Sequence, residues 1–226
     1  MTARPHFPRI SANDNYIWLL AALLVLLFVS SVGQQTENYL LTRLMGVSMM
    51  GVVLVAVWSL ERGRLRFASR AGISILFIVV ESSVIFFEKY DMRLLQLGTL
   101  LLFTIASVVI CCRQALFTGS VDSNKIVGAI CIYLLMGIAW AQAYLMVEII
   151  FPGSIPALAG EHWQDNAGTA MYFSFVTLST LGFGDIVPAQ PLARHLASIQ
   201  AIAGQFYVAI VVASLIGARL SSKGGE

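Results

Sequence analysis

The 226-residue chain is 58 % apolar and only 12 % charged, with a mean hydropathy of +0.81. Soluble domains carry about 25 % charged residues, so most of this chain belongs in a bilayer and little is left for a soluble domain. The formal net charge of +2 marks no acidic partner, and no nucleic-acid partner is expected.

A helix that crosses the hydrocarbon core needs about 20 mostly apolar residues. Six segments qualify: Tyr16–Val32, Leu40–Leu60, Ala71–Phe87, Leu94–Cys112, Ile126–Phe151 and His195–Ala218. Arg4 and Arg9 precede the first of these as they would a signal peptide, but Val32-Gly33-Gln34-Gln35 holds no small-x-small cleavage site. The segment is therefore expected to be a retained helix. After the second segment, Arg62, Arg64, Arg66 and Arg70 form a basic loop, which is either a topology signal alone or a contact for anionic lipid. The third segment carries Glu81 mid-way. An intramembrane carboxylate is a candidate modulatory group, against the alternative of a neutral, hydrogen-bonded structural residue.

The fourth segment has no internal charge, and Arg93 and Arg113 flank its two ends. Cys111 and Cys112 lie at its end and Cys131 in the fifth segment. These three make no disulfide framework and read as reduced thiols packed as small apolar groups, with palmitoylation of the adjacent pair as the alternative. Glu148 falls near the end of the fifth segment, and His162 and His195 read as surface histidines. No metal-ligand spacing, phosphate-binding loop or nucleophile–base constellation occurs, so no enzyme is expected.

Between the fifth and sixth segments, Asp165 and Asn166 offer an N-cap for a short helix over Ala167–Leu178. That helix is too short to span, so it is expected to dip into the membrane and return. The nine residues after it are Thr177-Leu178-Ser179-Thr180-Leu181-Gly182-Phe183-Gly184-Asp185. This stretch resembles the selectivity filter of potassium channels, with Leu181 for the usual Val and Phe183 for the usual Tyr. The resemblance implies that Thr180, Leu181, Gly182, Phe183 and Gly184 form the ion-binding wall. Their oxygens, including the Thr180 hydroxyl, would replace the water shed by K+. Gly182 and Gly184 would permit the dihedrals this requires. One wall per chain implies a closed ring of four, in which each chain has three identical partner subunits in a homotetramer.

The same resemblance places Tyr172 and Phe173 as aromatics that brace the filter, with Thr177 and Asp185 as further support. Phe183 lacks the hydroxyl of the usual Tyr, which removes one hydrogen bond to the short helix. Asp185 is expected to stay ionised at the outer mouth, Pro188 to end the return, and Pro191 to open the sixth helix. Gly204 falls where the family's inner helix often has a gating glycine and is a candidate hinge, with close packing as the alternative. Gln205 and Ser214 face either a cavity or a neighbouring helix.

Lysines and arginines fix the expected orientation. With the N-terminus cytoplasmic, ten fall inside (Arg4, Arg9, Arg62, Arg64, Arg66, Arg70, Arg113, Lys125, Arg219, Lys223) and four outside (Arg43, Lys89, Arg93, Arg194). Both termini are then cytoplasmic in the plasma (inner) membrane. The expected fold is an all-α membrane protein: residues 1–15 a cytoplasmic segment, 16–112 four transmembrane helices, 113–125 a linker, 126–220 the pore domain, and 221–226 a short tail. With nine residues after Gly217, no cytoplasmic regulatory domain is expected. Six helices with the filter between the fifth and sixth is the layout of voltage-gated channels, but here the fourth lacks their charge ladder. The expected function is passive, selective K+ conduction with K+ as the permeant ion and no organic cofactor. The alternatives are a non-selective cation channel and a non-conducting, channel-like regulatory subunit. An ion-coupled transporter would show internal repeats or several broken helices, and only one interrupted segment is present.

Overall fold

A computed structural model describes residues 15–35, 92–116, 123–160, 162–214 and 216–217. The second and third predicted spans lie outside the described residues. So do Glu81 and the basic loop Arg62, Arg64, Arg66 and Arg70.

Among the described residues the chain is helical, with no strand. It comprises α1 (Asn15–Gln35), α2 (Arg93–Leu116), α3 (Ser123–Ile150), a 3-10 turn (Pro156–Leu158), α4 (Trp163–Leu178) and α5 (Pro191–Phe206). The last continues into a π-helical turn at Tyr207–Val212. Arg93–Ala115, Asn124–Ile150 and Pro191–Val212 are long and apolar enough to cross a membrane, and Tyr16–Ser31 is a shorter apolar helix.

Side-chain spacing explains the packing. In α1, Tyr16, Leu19, Leu23, Leu26 and Ser30 are buried. Steps of three and four place them on one stripe, which packs against α3 and α4. In α2 the buried stripe runs Leu97, Leu100, Thr104, Ser107, Cys111 and Ala115. Its Thr104 and Ser107 hydroxyls donate to the carbonyls of Leu100 and Phe103, each at 2.9 Å. Satisfied in this way, small polar side chains let helices approach closely in an apolar medium. α3 is the central post, at 28 residues about 42 Å long, and α1, α2, α4 and α5 all pack on it.

The helix ends sort into two layers. Tyr16 Oη donates to Gln114 Oε1 at 3.3 Å, and Cys131 Sγ donates to the Tyr16 carbonyl at 3.5 Å. The starts of α1 and α3 and the end of α2 therefore share one layer, the layer of Arg113 and Lys125. At the opposite layer Trp163 Nε1 donates to Gln96 Oε1 at 3.0 Å, joining the starts of α4 and α2 beside Arg93. The Ala189 N–H donates to the Ser154 carbonyl at 2.8 Å, which brings the start of α5, with Arg194, to this second layer.

Candidate functional site

The site begins where α3 ends. Glu148 is buried, and its carboxylate accepts the N–H groups of Gly153 (2.7 Å) and Ile155 (2.6 Å). It thus holds the chain reversal that follows the helix, donors that a buried turn would otherwise leave unsatisfied. Gln190 Nε2 reaches the Pro152 carbonyl at 3.1 Å, tying the segment before α5 onto the same turn.

α4 starts earlier than its sequence suggests. His162, not Asp165 or Asn166, is the N-cap, and it makes no side-chain capping bond. Asp165 sits in the first helical turn, where its charge complements the positive end of the helix dipole. Asn166 Nδ2 instead donates to the Leu158 carbonyl at 3.0 Å. The 16 residues of α4 reach about 24 Å, short of the roughly 30 Å hydrocarbon core.

The C-terminus of α4 falls at Leu178 as expected, and it closes in a specific way. Thr180 N–H donates to the Thr177 carbonyl and Leu181 N–H to the Val176 carbonyl, both at 3.0 Å. This is the paired pattern of a Schellman cap, in which the residue at Thr180's place takes the left-handed conformation and is usually glycine. Thr180 has φ +58 and is the one non-glycine with positive φ among the described residues. A β-branched residue there is an outlier, and such strain, about 1–3 kcal/mol, persists only where surrounding structure enforces it. Gly182 (φ +53) and Gly184 (φ +82) follow, while Leu181 and Phe183 between them keep negative φ. The sign of φ therefore alternates over five residues. A Cβ added at Gly182 or Gly184 would meet nothing within 4 Å, so glycine is needed there for its torsion and not for space.

The two predicted bracing aromatics part company. Phe173 is buried against Tyr144, ring centroids 4.8 Å apart. Tyr172 is exposed and its hydroxyl donates to Asp185 Oδ2 at 2.6 Å, linking α4 to the residue just past Gly184. This hydrogen bond, helped by the backbone N–H groups of Asp185 and Ile186, holds the Asp185 carboxyl below the ordinary carboxylate range. A depressed pKa means the link is fully present at neutral pH and is lost only as pH falls through that lowered value. Tyr172→Phe is expected to move Asp185 titration up toward about 3.9. Carbon-detected NMR of labelled aspartate reads this directly, and an unmoved titration would show that Tyr172 does not hold the carboxylate.

Behind α4 lies a buried polar network without a counterpart among the sequence expectations. Tyr144 Oη donates to Gln200 Oε1 at 2.5 Å, and Gln200 Nε2 donates to the Ser174 carbonyl (3.0 Å) and to Ser174 Oγ (2.8 Å). Ser174 Oγ in turn donates to the Gly137 carbonyl at 2.6 Å. Three helices, α3, α4 and α5, meet in this chain of bonds. The signal available in the sequence was an amide side chain at position 200, inside an apolar span, where a polar group needs a partner.

α5 lies against the end of α4. Gly204 is buried, and a Cβ there would collide with the Leu178 carbonyl, so its glycine permits close packing. The next residue, Gln205, donates from Nε2 to Thr180 Oγ1 at 2.8 Å. Tyr207 then anchors the inner stretch of the helix to α3, its hydroxyl donating to the Ala129 carbonyl at 2.6 Å. Among the described residues no group of three His, Cys, Asp or Glu is placed to hold a metal ion.

Residues 130–219, which contain the whole of this site from α3 to α5, match the ion-channel family model Ion_trans_2. The chain is 34 % identical over 94 residues to the inward rectifier potassium channel Kirbac3.1 of Paramagnetospirillum magnetotacticum, covering 40 % of this chain and 28 % of that protein. It is 33 % identical over 78 residues to two pore potassium channel c of Oryza sativa subsp. japonica, covering 33 % of this chain and 17 % of that one. The chain thus spans less than a third of the length of either relative. No solved structure matches it. The matches indicate an ion channel rather than an enzyme.

Proposed function

We propose that this protein conducts K+ selectively and passively, as one quarter of a homotetrameric pore walled by Thr180, Leu181, Gly182, Phe183 and Gly184. The observation that carries the reading is the alternating sign of φ from Thr180 to Gly184, directly after a helix too short to span. Alternation of left- and right-handed residues turns successive peptide N–H groups to one side and their carbonyls to the other, the arrangement a dehydrated cation requires. The segment also needs neighbours. Leu181 and Phe183 are 57 % and 66 % exposed in the single chain, and irregular backbone at membrane depth is tolerated only inside protein or beside a water-filled cavity. Three further copies supply that shelter. Both relatives are potassium channels by name, which favours K+ over a non-selective pore.

In this reading residues 126–220 are the pore domain and 16–112 the surrounding helices. The membrane is the plasma (inner) membrane, with both termini cytoplasmic and the Asp185 end outside. The sorting of Arg113 and Lys125 to one layer and Arg93 and Arg194 to the other supports this orientation. The basic residues Arg62, Arg64, Arg66 and Arg70 would meet anionic lipid on the inner side. The decisive experiment is flux through the purified protein in liposomes under K+ and Na+ gradients, with barium as blocker. Barium-sensitive K+ flux well above Na+ flux is expected, whereas equal permeabilities would favour a non-selective pore and no flux a non-conducting subunit.

α2 bears on gating. It carries no charge between Arg93 and Arg113, and each charge moved through the field is worth about 2.3 kcal/mol per 100 mV. Steady-state open probability is therefore expected to vary little over about 200 mV. Steep sigmoidal activation in planar bilayers would overturn this expectation.

A further inference from the structure

We propose that Gln205 is a positioning residue that sets cation affinity at the inner end of the pore, acting through the Thr180 hydroxyl. The proposal rests on the reading of Thr180–Gly184 as the conduction wall. A threonine hydroxyl has one O–H to donate and two lone pairs to offer. The Thr180 O–H is committed to the Ser179 carbonyl at 2.7 Å. One lone pair is taken by the Gln205 amide at 2.8 Å. A single lone pair therefore remains for a cation, on an oxygen whose electron density an amide N–H already draws upon. The arrangement is enforced from the backbone. Because Gly204 lacks a Cβ, α5 lies directly against the Leu178 carbonyl, which brings the following residue alongside Thr180. Gln205 is exposed in the single chain and has no packing role there.

The amide presents its positive end to the site, so it weakens cation binding at the inner oxygen ring and so favours rapid release of the permeant ion over tight capture. Replacing it should tighten binding, most of all for a divalent cation of similar radius to K+. The probe is Ba2+ applied from the inner side of the full-length channel in planar bilayers, read as the half-blocking concentration. Gln205→Leu is expected to lower that concentration about fivefold, the scale of one neutral hydrogen bond. Gln205→Glu is expected to lower it at least about tenfold, because a carboxylate adds a negative charge beside the ring. Thr180→Val removes the hydroxyl, and on that background Gln205→Leu should have no further effect. Should Gln205→Leu fail to assemble, Gln205→Met, unbranched and of similar length, makes the same comparison.

A wild-type channel that is K+-selective, with Ba2+ block unchanged or weakened in Gln205→Leu, overturns the role of Gln205 and leaves the filter reading intact. An equal shift with and without the Thr180 hydroxyl also overturns it. A wild-type protein with no preference for K+ over Na+ defeats the filter reading and this proposal with it. Elution and thermal unfolding of each variant are compared with wild type, since a purely structural role would move these and not the block.

Discussion

Gly182→Ala is expected to abolish K+-selective flux while leaving the helices folded. Gly182 has φ +53 and open space where a Cβ would project, so the penalty is torsional. An L-residue in this region costs about 1–2 kcal/mol, and four copies in one ring would carry about 4–8 kcal/mol together. The ring relieves that strain by rotating the peptide plane, which takes a carbonyl off the ion path. Circular dichroism should be unchanged and the K+ to Na+ flux ratio should collapse. A retained ratio would mean that the wall is not built from backbone carbonyls. Thr180→Gly should do the reverse to stability. It places the residue that the Schellman cap prefers where a β-branched one now sits at φ +58. Up to about 1 kcal/mol per chain should be gained after the entropy cost of glycine is subtracted. Selectivity should nevertheless fall, because the hydroxyl is lost. A variant that is both more stable and less selective would identify the strain at Thr180 as retained for conduction, and one that is markedly less stable would show that no such strain exists.

These residues also show what sequence carried and what it did not. The end of the short helix at Leu178 and the need for glycine at 182 and 184 were legible, since glycine in a fixed pattern reports torsion directly. The left-handed Thr180 was not, because its conformation is imposed by the cap hydrogen bonds to Val176 and Thr177 against the residue's own preference. The start of α4 was misplaced for a related reason. Asp165 and Asn166 are good caps by type, but the chain entering from the Pro156–Leu158 turn, held by Asn166 and by Trp163 on Gln96, is already helical at Trp163. Gly204 was legible as special and ambiguous as to why, since a hinge and a close approach call for the same residue. The Leu178 carbonyl beside it accounts for close packing without a bend. Glu148 was noticed for its position alone. Its two N–H partners lie five and seven residues onward, in a turn whose path no periodicity reveals.

Gln200→Leu is expected to be the most destabilising single change in the described helices. Gln200 is fully buried and makes three hydrogen bonds, one to Tyr144 and two to Ser174. Interhelical bonds in membranes average about 0.6 kcal/mol and reach about 2, so the lost bonds alone amount to about 2–4 kcal/mol. The Tyr144 hydroxyl also loses its acceptor, and a buried unsatisfied group costs about 1–3 kcal/mol. That second cost gives the prediction its test. Tyr144→Phe on its own should cost about 1 kcal/mol, whereas combined with Gln200→Leu it should recover stability relative to Gln200→Leu alone, because no orphan hydroxyl then remains. Denaturant unfolding of the reconstituted protein, followed by tryptophan fluorescence, measures all three variants. Additive losses would mean that the two side chains do not share one network, and a Gln200→Leu variant within about 0.5 kcal/mol of wild type would mean that the network does not hold α4 in place. The same variant should also lose K+ selectivity before it unfolds. Ser174 is four residues before Leu178, so releasing it frees the helix end from which the Thr180–Gly184 segment is hung.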